Sequence, residues 1–191
     1  MEFKSSGISI EDLEDRIRSF EPNPSFTHDD FSMIAVAEAV RAAKEGNIGV
    51  GGCVIKASEL IIRDHNRQFV PYFRGDLHAE MVIVNQLEDL LRHEASPDMR
   101  AYTFFSSQES CPMCMLRLIT SGVGKIYYVY RDSASPDQGE LTSLDRLPRV
   151  WGELAQRQEV GEADCSPELK EMARQAFLLT AGSALENIQN R

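Results

Sequence analysis

Two short segments of the sequence contain residue types that bind zinc. His78 lies two residues before Glu80, and Cys111 and Cys114 have Cys-x-x-Cys spacing. Imidazole nitrogen and thiolate sulfur suit zinc, and a hydrolytic zinc site has three protein ligands and keeps its fourth position for water. His78, Cys111 and Cys114 supply three ligands. Because zinc lowers the pKa of such a water towards neutrality, these residues predict a hydrolase rather than a closed structural site.

The cysteine pair is predicted at the start of a helix over residues 111–120. Ser110 is a suitable N-cap for this helix, and Pro112 fits its first turn. Residues three apart share one side of a helix, so Cys111 and Cys114 can point at the same ion. The positive end of the helix also favours their thiolate forms.

His78 is predicted in the first turn of another helix, over residues 77–91. Glu80 points in a different direction from His78, which leaves its carboxylate as a general base rather than a ligand. Cys-x-x-Cys alone also occurs in redox motifs and structural zinc sites, but its combination with His-Ala-Glu favours a catalytic metal. A non-catalytic zinc-binding protein is an alternative, although it has no need of Glu80.

The hydrophobic pattern along the chain alternates between helices and strands. Helices are predicted after Ser9, over 27–46 with Thr27 as N-cap, and from Ser166 past residue 179; strands are predicted over 51–55, 60–62, 101–105, 125–130 and near 158–160. This order predicts a layered α/β domain in which helices cover a sheet. At 191 residues we expect one such domain over residues 26–191, preceded by a helical extension over residues 1–25.

The charge balance weighs against a nucleic-acid partner. Twenty Lys and Arg residues stand against thirty Asp and Glu residues, which gives a formal net charge of -10. A surface that binds phosphates needs clustered lysine and arginine, and the sequence has no basic run. We therefore expect a small-molecule substrate.

No targeting or membrane segment is evident in the sequence. There is no run of 18 apolar residues, and the first residues do not have the pattern of a secretory signal. A cytoplasmic location and no membrane contact are therefore expected. In that reducing compartment Cys53 and Cys165 are expected to be plain thiols rather than a disulfide.

The motif residues resemble those of a known superfamily. His-x-Glu followed about thirty residues later by Pro-Cys-x-x-Cys is the signature of the zinc-dependent cytidine and deoxycytidylate deaminases, and this sequence is similar to them over roughly residues 27–180. One position departs from the signature, because Ser110 stands where the motif has proline. Serine is itself a competent cap, so zinc binding is expected to survive.

The resemblance implies a three-layer α/β/α fold with a mixed five-stranded sheet, in a homodimer or larger assembly. The long connection after the strand at 125–130 resembles the branch in which the last two strands are parallel. That branch contains guanine and cytosine deaminases of free bases and transfer-RNA adenosine deaminases. Membership implies a zinc hydrolase that acts on the C–N bonds of cyclic amidines.

The resemblance also implies roles for individual residues. Glu80 is the expected catalytic proton shuttle, and Asn66 and the backbone amide of Ala79 are expected to contact the substrate. Glu140, with Asp137 nearby, could add a second acid to the site, although a solvated acidic loop is the simpler explanation of both.

We therefore predict hydrolytic deamination, with Zn²⁺, of an amino-substituted nucleobase or related small heterocycle of the guanine or cytosine type. The alternatives are a transfer-RNA adenosine deaminase and a non-catalytic zinc-binding relative. Two other histidines, His65 and His93, are expected at the surface. Whether the C-terminal segment covers the pocket is left open by the sequence.

Overall fold

A mixed five-stranded sheet forms the centre of the protein, which a computed structural model describes over residues 7–131 and 142–190. The strands in chain order are β1 (Gly51–Lys56), β2 (Glu59–His65), β3 (Tyr102–Gln108), β4 (Lys125–Tyr130) and β5 (Glu159–Glu162). The helices are α1 (Ile10–Ser19), α2 (Asp29–Lys44), α3 (Ala79–Leu91), α4 (Pro112–Ser121), α5 (Arg149–Ala155) and α6 (Pro167–Gln189). These elements confirm the predicted helices and strands, with shifts of a few residues at their ends.

The strands are arranged in the order β2-β1-β3-β4-β5. β1 is antiparallel to β2 and to β3, whereas β3, β4 and β5 are mutually parallel. A parallel connection must cross over one face of the sheet, and α5 lies in the connection from β4 to β5. The predicted mixed sheet and the predicted parallel pairing of the last two strands are both confirmed.

Helices cover both faces of the sheet and bury one apolar cluster on each. Neighbouring strand residues point to opposite faces, so Phe105 joins the cluster beneath α2 and α6 while Phe104 joins the one beneath α3 and α4. α1 also packs on the first cluster, because its Leu13 is fully buried there. The separation of residues 1–25 from the rest of the chain stays a prediction.

β1 begins in close contact with α2, and this contact needs glycine. A Cβ atom on Gly51 would lie 2.4 Å from the backbone nitrogen of Ala39. Any larger residue would push the helix away from the strand, since a Cβ atom cannot approach backbone that closely. The start of β1, next to Val50, is therefore held firmly against the helix layer.

One local expectation was wrong, because His28, not Thr27, is the N-cap of α2. The helix predicted from Ser166 past residue 179 continues as one element to Gln189. Across the described ranges 7–131 and 142–190, no helix has the length and apolar character needed to cross a membrane.

His65 is fully buried, which contradicts the expected surface position. Its Nδ1 lies 3.0 Å from a carboxylate oxygen of Glu38, and its Nε2 lies 2.9 Å from one of Glu45. Glu38 lies on α2 and Glu45 is the C-cap of that helix, twenty or more residues earlier in the chain, so the local sequence around His65 does not reveal them. The expectation that His93 is exposed is confirmed.

The two carboxylates make His65 a titrating link between β2 and α2. Burial lowers the pKa of His65, but the hydrogen bonds to Glu38 and Glu45, together with the charges of Glu45 and Asp64, outweigh burial and raise it above 6.5. A histidine whose pKa is raised by folding stabilises the fold fully below its unfolded pKa. That contribution is lost as pH rises through the folded pKa.

We expect the His65→Gln substitution to lower the free energy of unfolding by about 2–3 kcal/mol at about pH 6, because two carboxylates lose their shared cation. The loss should shrink as pH rises through the raised folded pKa of His65, because above it the wild-type imidazole is also neutral. Urea unfolding across this pH range measures both effects. The exposed His93→Gln serves as the matched control and should change stability by no more than about 0.5 kcal/mol. A His65→Gln loss that does not vary with pH would contradict the charged link.

Candidate active site

Three potential zinc ligands converge where α3 and α4 begin. His78 is the N-cap of α3, Cys111 is the N-cap of α4, and Cys114 lies in the first turn of α4. The Sγ atoms of Cys111 and Cys114 lie 3.7 and 3.6 Å from Nδ1 of His78. All three ligand atoms lie within 4.8 Å of one another. The structure therefore brings together the three residues that the sequence selected as ligands.

The spacing of these atoms fits zinc. Bond lengths of about 2.3 Å to sulfur and about 2.0 Å to nitrogen, in tetrahedral geometry, place a sulfur and a nitrogen ligand about 3.6 Å apart. The two measured sulfur-to-nitrogen distances agree with that value. A His-Cys-Cys set with a free fourth direction fits a zinc site that is open to water.

The cysteine pair shares protons unequally. A hydrogen bond from Cys114 is the largest influence on Cys111 and helps to lower its pKa to about 4. A weaker effect of a hydrogen bond from His78 acts in the same direction, and burial opposes both. The pKa of Cys114 is raised, first by its hydrogen bond with Cys111 and then by burial. The hydrogen bond with Cys111 also raises the pKa of His78. Zinc binding must therefore release protons from this cluster.

Glu80 lies beside the cluster in the first turn of α3. Its side chain is 3% exposed and lines a cavity of about 220 Å³ together with His78 and Cys111. Burial, and then the negative charge of Cys111, raise the pKa of Glu80, while His78 partly offsets them. A buried carboxylate with a raised pKa can both accept and return a proton near neutral pH.

The two expected substrate contacts occupy different positions. Asn66 is buried and lines the cavity, and its side-chain oxygen accepts a hydrogen bond from the backbone of Gln68. This bond leaves the amide nitrogen of Asn66 as the group able to donate to a substrate. Ala79 is fully buried and its side chain does not line the cavity. Its backbone amide belongs to the first turn of α3, where amides have no partner within the helix.

Ser110 does not cap α4 as expected. The N-cap is Cys111, and Ser110 is 2% exposed with a hydroxyl that forms no hydrogen bond within the described ranges. The cap shifts by one residue because the extended backbone needed at an N-cap falls on Cys111. Ser110 instead lines the cavity beside Glu80.

The sequence did not reveal several residues of the cavity wall. They include the apolar residues Ile48, Val50 and Phe177 and the polar residues Gln108, Glu109, Ser143 and Arg146. The sequence left open whether the C-terminal segment covers the pocket. Phe177 belongs to α6, so this segment contributes to the cavity wall. The motif position before Cys111 identified Ser110 as a departure from the signature, but nothing in the sequence marked Glu109 beside it as a cavity residue. Asp137 and Glu140 lie outside the described residues.

Glu109 links Ser143, which lines the cavity, to Arg131, the residue that follows β4. Its carboxylate accepts hydrogen bonds from the backbone nitrogen of Ser143 at 2.7 Å and from the Ser143 hydroxyl at 3.2 Å. The other carboxylate oxygen lies 3.5 Å from Nε of Arg131. A buried acid that bonds a backbone amide fixes the segment carrying it, so Glu109 positions Ser143 at the cavity.

Comparison with known proteins gives one family match. The family described as the cytidine and deoxycytidylate deaminase zinc-binding region matches residues 26–130. The tRNA-specific adenosine deaminase of Bacillus subtilis is 26% identical over 141 residues, covering 74% of this chain and 85% of the relative. The protein of the same description from Aquifex aeolicus is 27% identical over 99 residues, covering 51% of this chain and 62% of the relative.

Two solved structures share the fold. A guanine deaminase from Nitrosomonas europaea aligns with a TM-score of 0.57 and 17% identity, covering 91% of this chain and 98% of that one. A transfer-RNA A34 deaminase aligns with a TM-score of 0.56 and 19% identity, covering 70% of this chain and 97% of that one. At these identities the likeness shows the shared α/β fold alone.

The ligand set can be tested by metal analysis. We expect the purified protein to contain about one zinc ion per chain, and Cys114→Ala to lose most of it because two ligands hold zinc weakly. A chelator should lower the unfolding temperature of the wild type much more than that of Cys114→Ala. Cys165→Ala, a change at another buried cysteine, is the control and should keep its zinc. Full zinc occupancy in Cys114→Ala would contradict the ligand set.

Proposed function

The chain belongs to the cytidine and deoxycytidylate deaminase family, and from this premise we propose that it is a zinc-dependent hydrolase that releases ammonia from an amino-substituted nucleobase or a related small heterocycle. The observation that carries the proposal is a buried carboxylate, Glu80, in the wall of a cavity that is also lined by His78 and Cys111, two members of the zinc-compatible cluster. A structural zinc site has no use for such a carboxylate, which argues against a non-catalytic relative.

We assign the zinc ligands as His78, Cys111 and Cys114. When bound, zinc supplies the Lewis acidity that makes water a nucleophile near neutral pH. The overall reaction adds one water to the substrate and releases one ammonia. A C–O bond forms and a C–N bond breaks at the same ring carbon.

Glu80 carries the protons in this proposal. It accepts one proton from the water and gives it to the ring nitrogen next to the reacting carbon. It then takes the second proton of the attacking oxygen and passes it to the departing amino group, which leaves as ammonia. The raised pKa that burial gives Glu80 suits a group that must be recharged with a proton twice in each turnover.

The cavity supports a flat, polar ring as the substrate. Ile48, Val50 and Phe177 present apolar surface to the faces of a ring, while Asn66 can donate a hydrogen bond to its edge. The net charge of -10 favours a free base over a polyanion. The full-length fold likeness to a guanine deaminase supports the same choice.

Transfer-RNA adenosine deamination is the second candidate. It is favoured by one observation, because the curated relatives matched over about three quarters of this chain are tRNA-specific adenosine deaminases. The expectation that nucleic acid is not a partner receives no support from these relatives. A homodimer, a cytoplasmic location and a place in nucleobase metabolism stay predictions.

The role of Glu80 predicts a clear separation between binding and chemistry. We expect Glu80→Gln to reduce ammonia release by about 10²–10⁴-fold, because the amide cannot transfer protons, while zinc content stays unchanged. Glu88→Gln is the control on the same helix, since Glu88 pairs with Arg117 away from the cavity and its loss should leave activity intact. Full ammonia release by zinc-loaded Glu80→Gln would disprove the assignment.

A substrate panel separates the two candidate functions. Ammonia release should be measured with guanine, cytosine, adenine, their nucleosides and transfer RNA under identical conditions. The proposal expects turnover of a free base bearing a ring carbonyl, and none above background with transfer RNA. Inosine formation in transfer RNA without turnover of any free base would reverse the choice.

A further inference from the structure

Ser110 has a buried hydroxyl in the wall of the cavity. The residue is 2% exposed, and its Oγ is one of the buried side-chain atoms that make no hydrogen bond of ordinary geometry within residues 7–131 and 142–190. Burying a hydroxyl whose hydrogen-bonding sites are unused costs stability, so a native structure keeps one when it has a use. The oxygen of Ser110 can therefore accept a hydrogen bond that no donor among the described residues supplies.

A structural role does not account for this hydroxyl. Cys111, rather than Ser110, is the N-cap of α4, so no helix end depends on the serine. The family signature has proline at this position, and proline has no hydroxyl. Neither zinc binding nor the start of α4 therefore requires an alcohol at residue 110.

The position of Ser110 limits what its partner can be. It lines the same cavity as Glu80, His78 and Cys111, the groups that must surround the reacting carbon of a substrate under the proposed function. Burial is the largest influence on the pKa of Glu80 and raises it, whereas Ser110 is among the groups that lower it, so its hydroxyl lies within interaction range of the carboxylate. A partner on the other side of the hydroxyl must come from the occupant of the cavity.

We propose that the Ser110 hydroxyl accepts a hydrogen bond from the amino group that leaves the substrate and donates one to Glu80, which makes Ser110 a further catalytic residue. The inference rests on the proposed deaminase function. A hydroxyl has one donor and two acceptor sites, so it can make both bonds at once. No bond to Ser110 forms or breaks, because its role is to hold the amine beside the proton shuttle.

The bond to Ser110 should strengthen as the reaction proceeds. The leaving nitrogen becomes more positive when it takes a proton from Glu80, and hydrogen bonds from charged donors are stronger than those from neutral ones. An interaction that is stronger in the transition state than in the bound substrate raises kcat rather than lowering KM. Ser110 should therefore affect kcat.

The test compares two buried serines. Ser106 is 1% exposed and also has an unpartnered hydroxyl, but it lies within β3 and does not line the cavity. For zinc-loaded Ser110→Ala we expect kcat to fall by about tenfold and KM to change by less than about twofold. Ser110→Thr, which keeps the hydroxyl, should recover part of the loss. Ser106→Ala should match the wild type in both constants.

A stability measurement separates catalysis from structure. Because Ser110→Ala removes a buried hydroxyl that makes no hydrogen bond of ordinary geometry to the described residues, its unfolding temperature and zinc content should equal or exceed those of the wild type. Three results would each overturn the inference. They are a wild-type kcat in Ser110→Ala, an equal loss of kcat in Ser106→Ala, and a loss of kcat in Ser110→Ala that lower stability or lower zinc content explains. If the wild type releases no ammonia from any substrate, the proposed function itself fails. If the wild type is active and Ser110→Ala has the same kcat, only the role of Ser110 fails.

Discussion

The site depends on two helices that start at the same edge of the sheet. His78 and Cys111 are the N-caps of α3 and α4, with nearly identical extended backbones of φ -65°, ψ 156° and φ -65°, ψ 165°. Neither residue caps its helix with a side-chain hydrogen bond. Their side chains are instead directed to one point, where the positive ends of two helices favour thiolate and carboxylate groups. A shift of either helix by one residue would separate the ligand atoms.

Buried carboxylates and amides hold the segments that surround this point. Glu109 fixes the segment at Ser143, and His65 links the end of β2 to α2 immediately before Asn66. The side-chain oxygen of Asn47 accepts hydrogen bonds from the backbone nitrogens of Phe69 and Val70, which lie in the connection from β2 to α3. Loops near a cavity are otherwise mobile, so polar contacts of this kind give the cavity a defined shape.

The sequence was most informative where chemistry or periodicity is local. The zinc-compatible cluster follows from two short motifs. The strands follow from apolar runs between turn residues. Ala57 and Ser58 are an example, because their positive φ angles form the turn between β1 and β2. The sequence failed where partners come from distant segments. His65 could not be recognised as buried, because its two carboxylates come from α2 and from the C-cap residue that follows it. Phe177 carries no local mark of a pocket residue, since its position depends on how α6 packs.

The metal ligands and part of the cavity wall come from separate parts of the chain. The ligand cluster and Glu80 fall within residues 26–130, which the family match covers, whereas Ser143, Arg146 and Phe177 lie beyond it. Mutations in the later segment can therefore reshape the cavity without touching the metal ligands. Such a division lets substrate preference diverge during evolution while the reaction is inherited unchanged. Exchanging residues 142–190 between relatives would accordingly be a direct route to engineering new specificities.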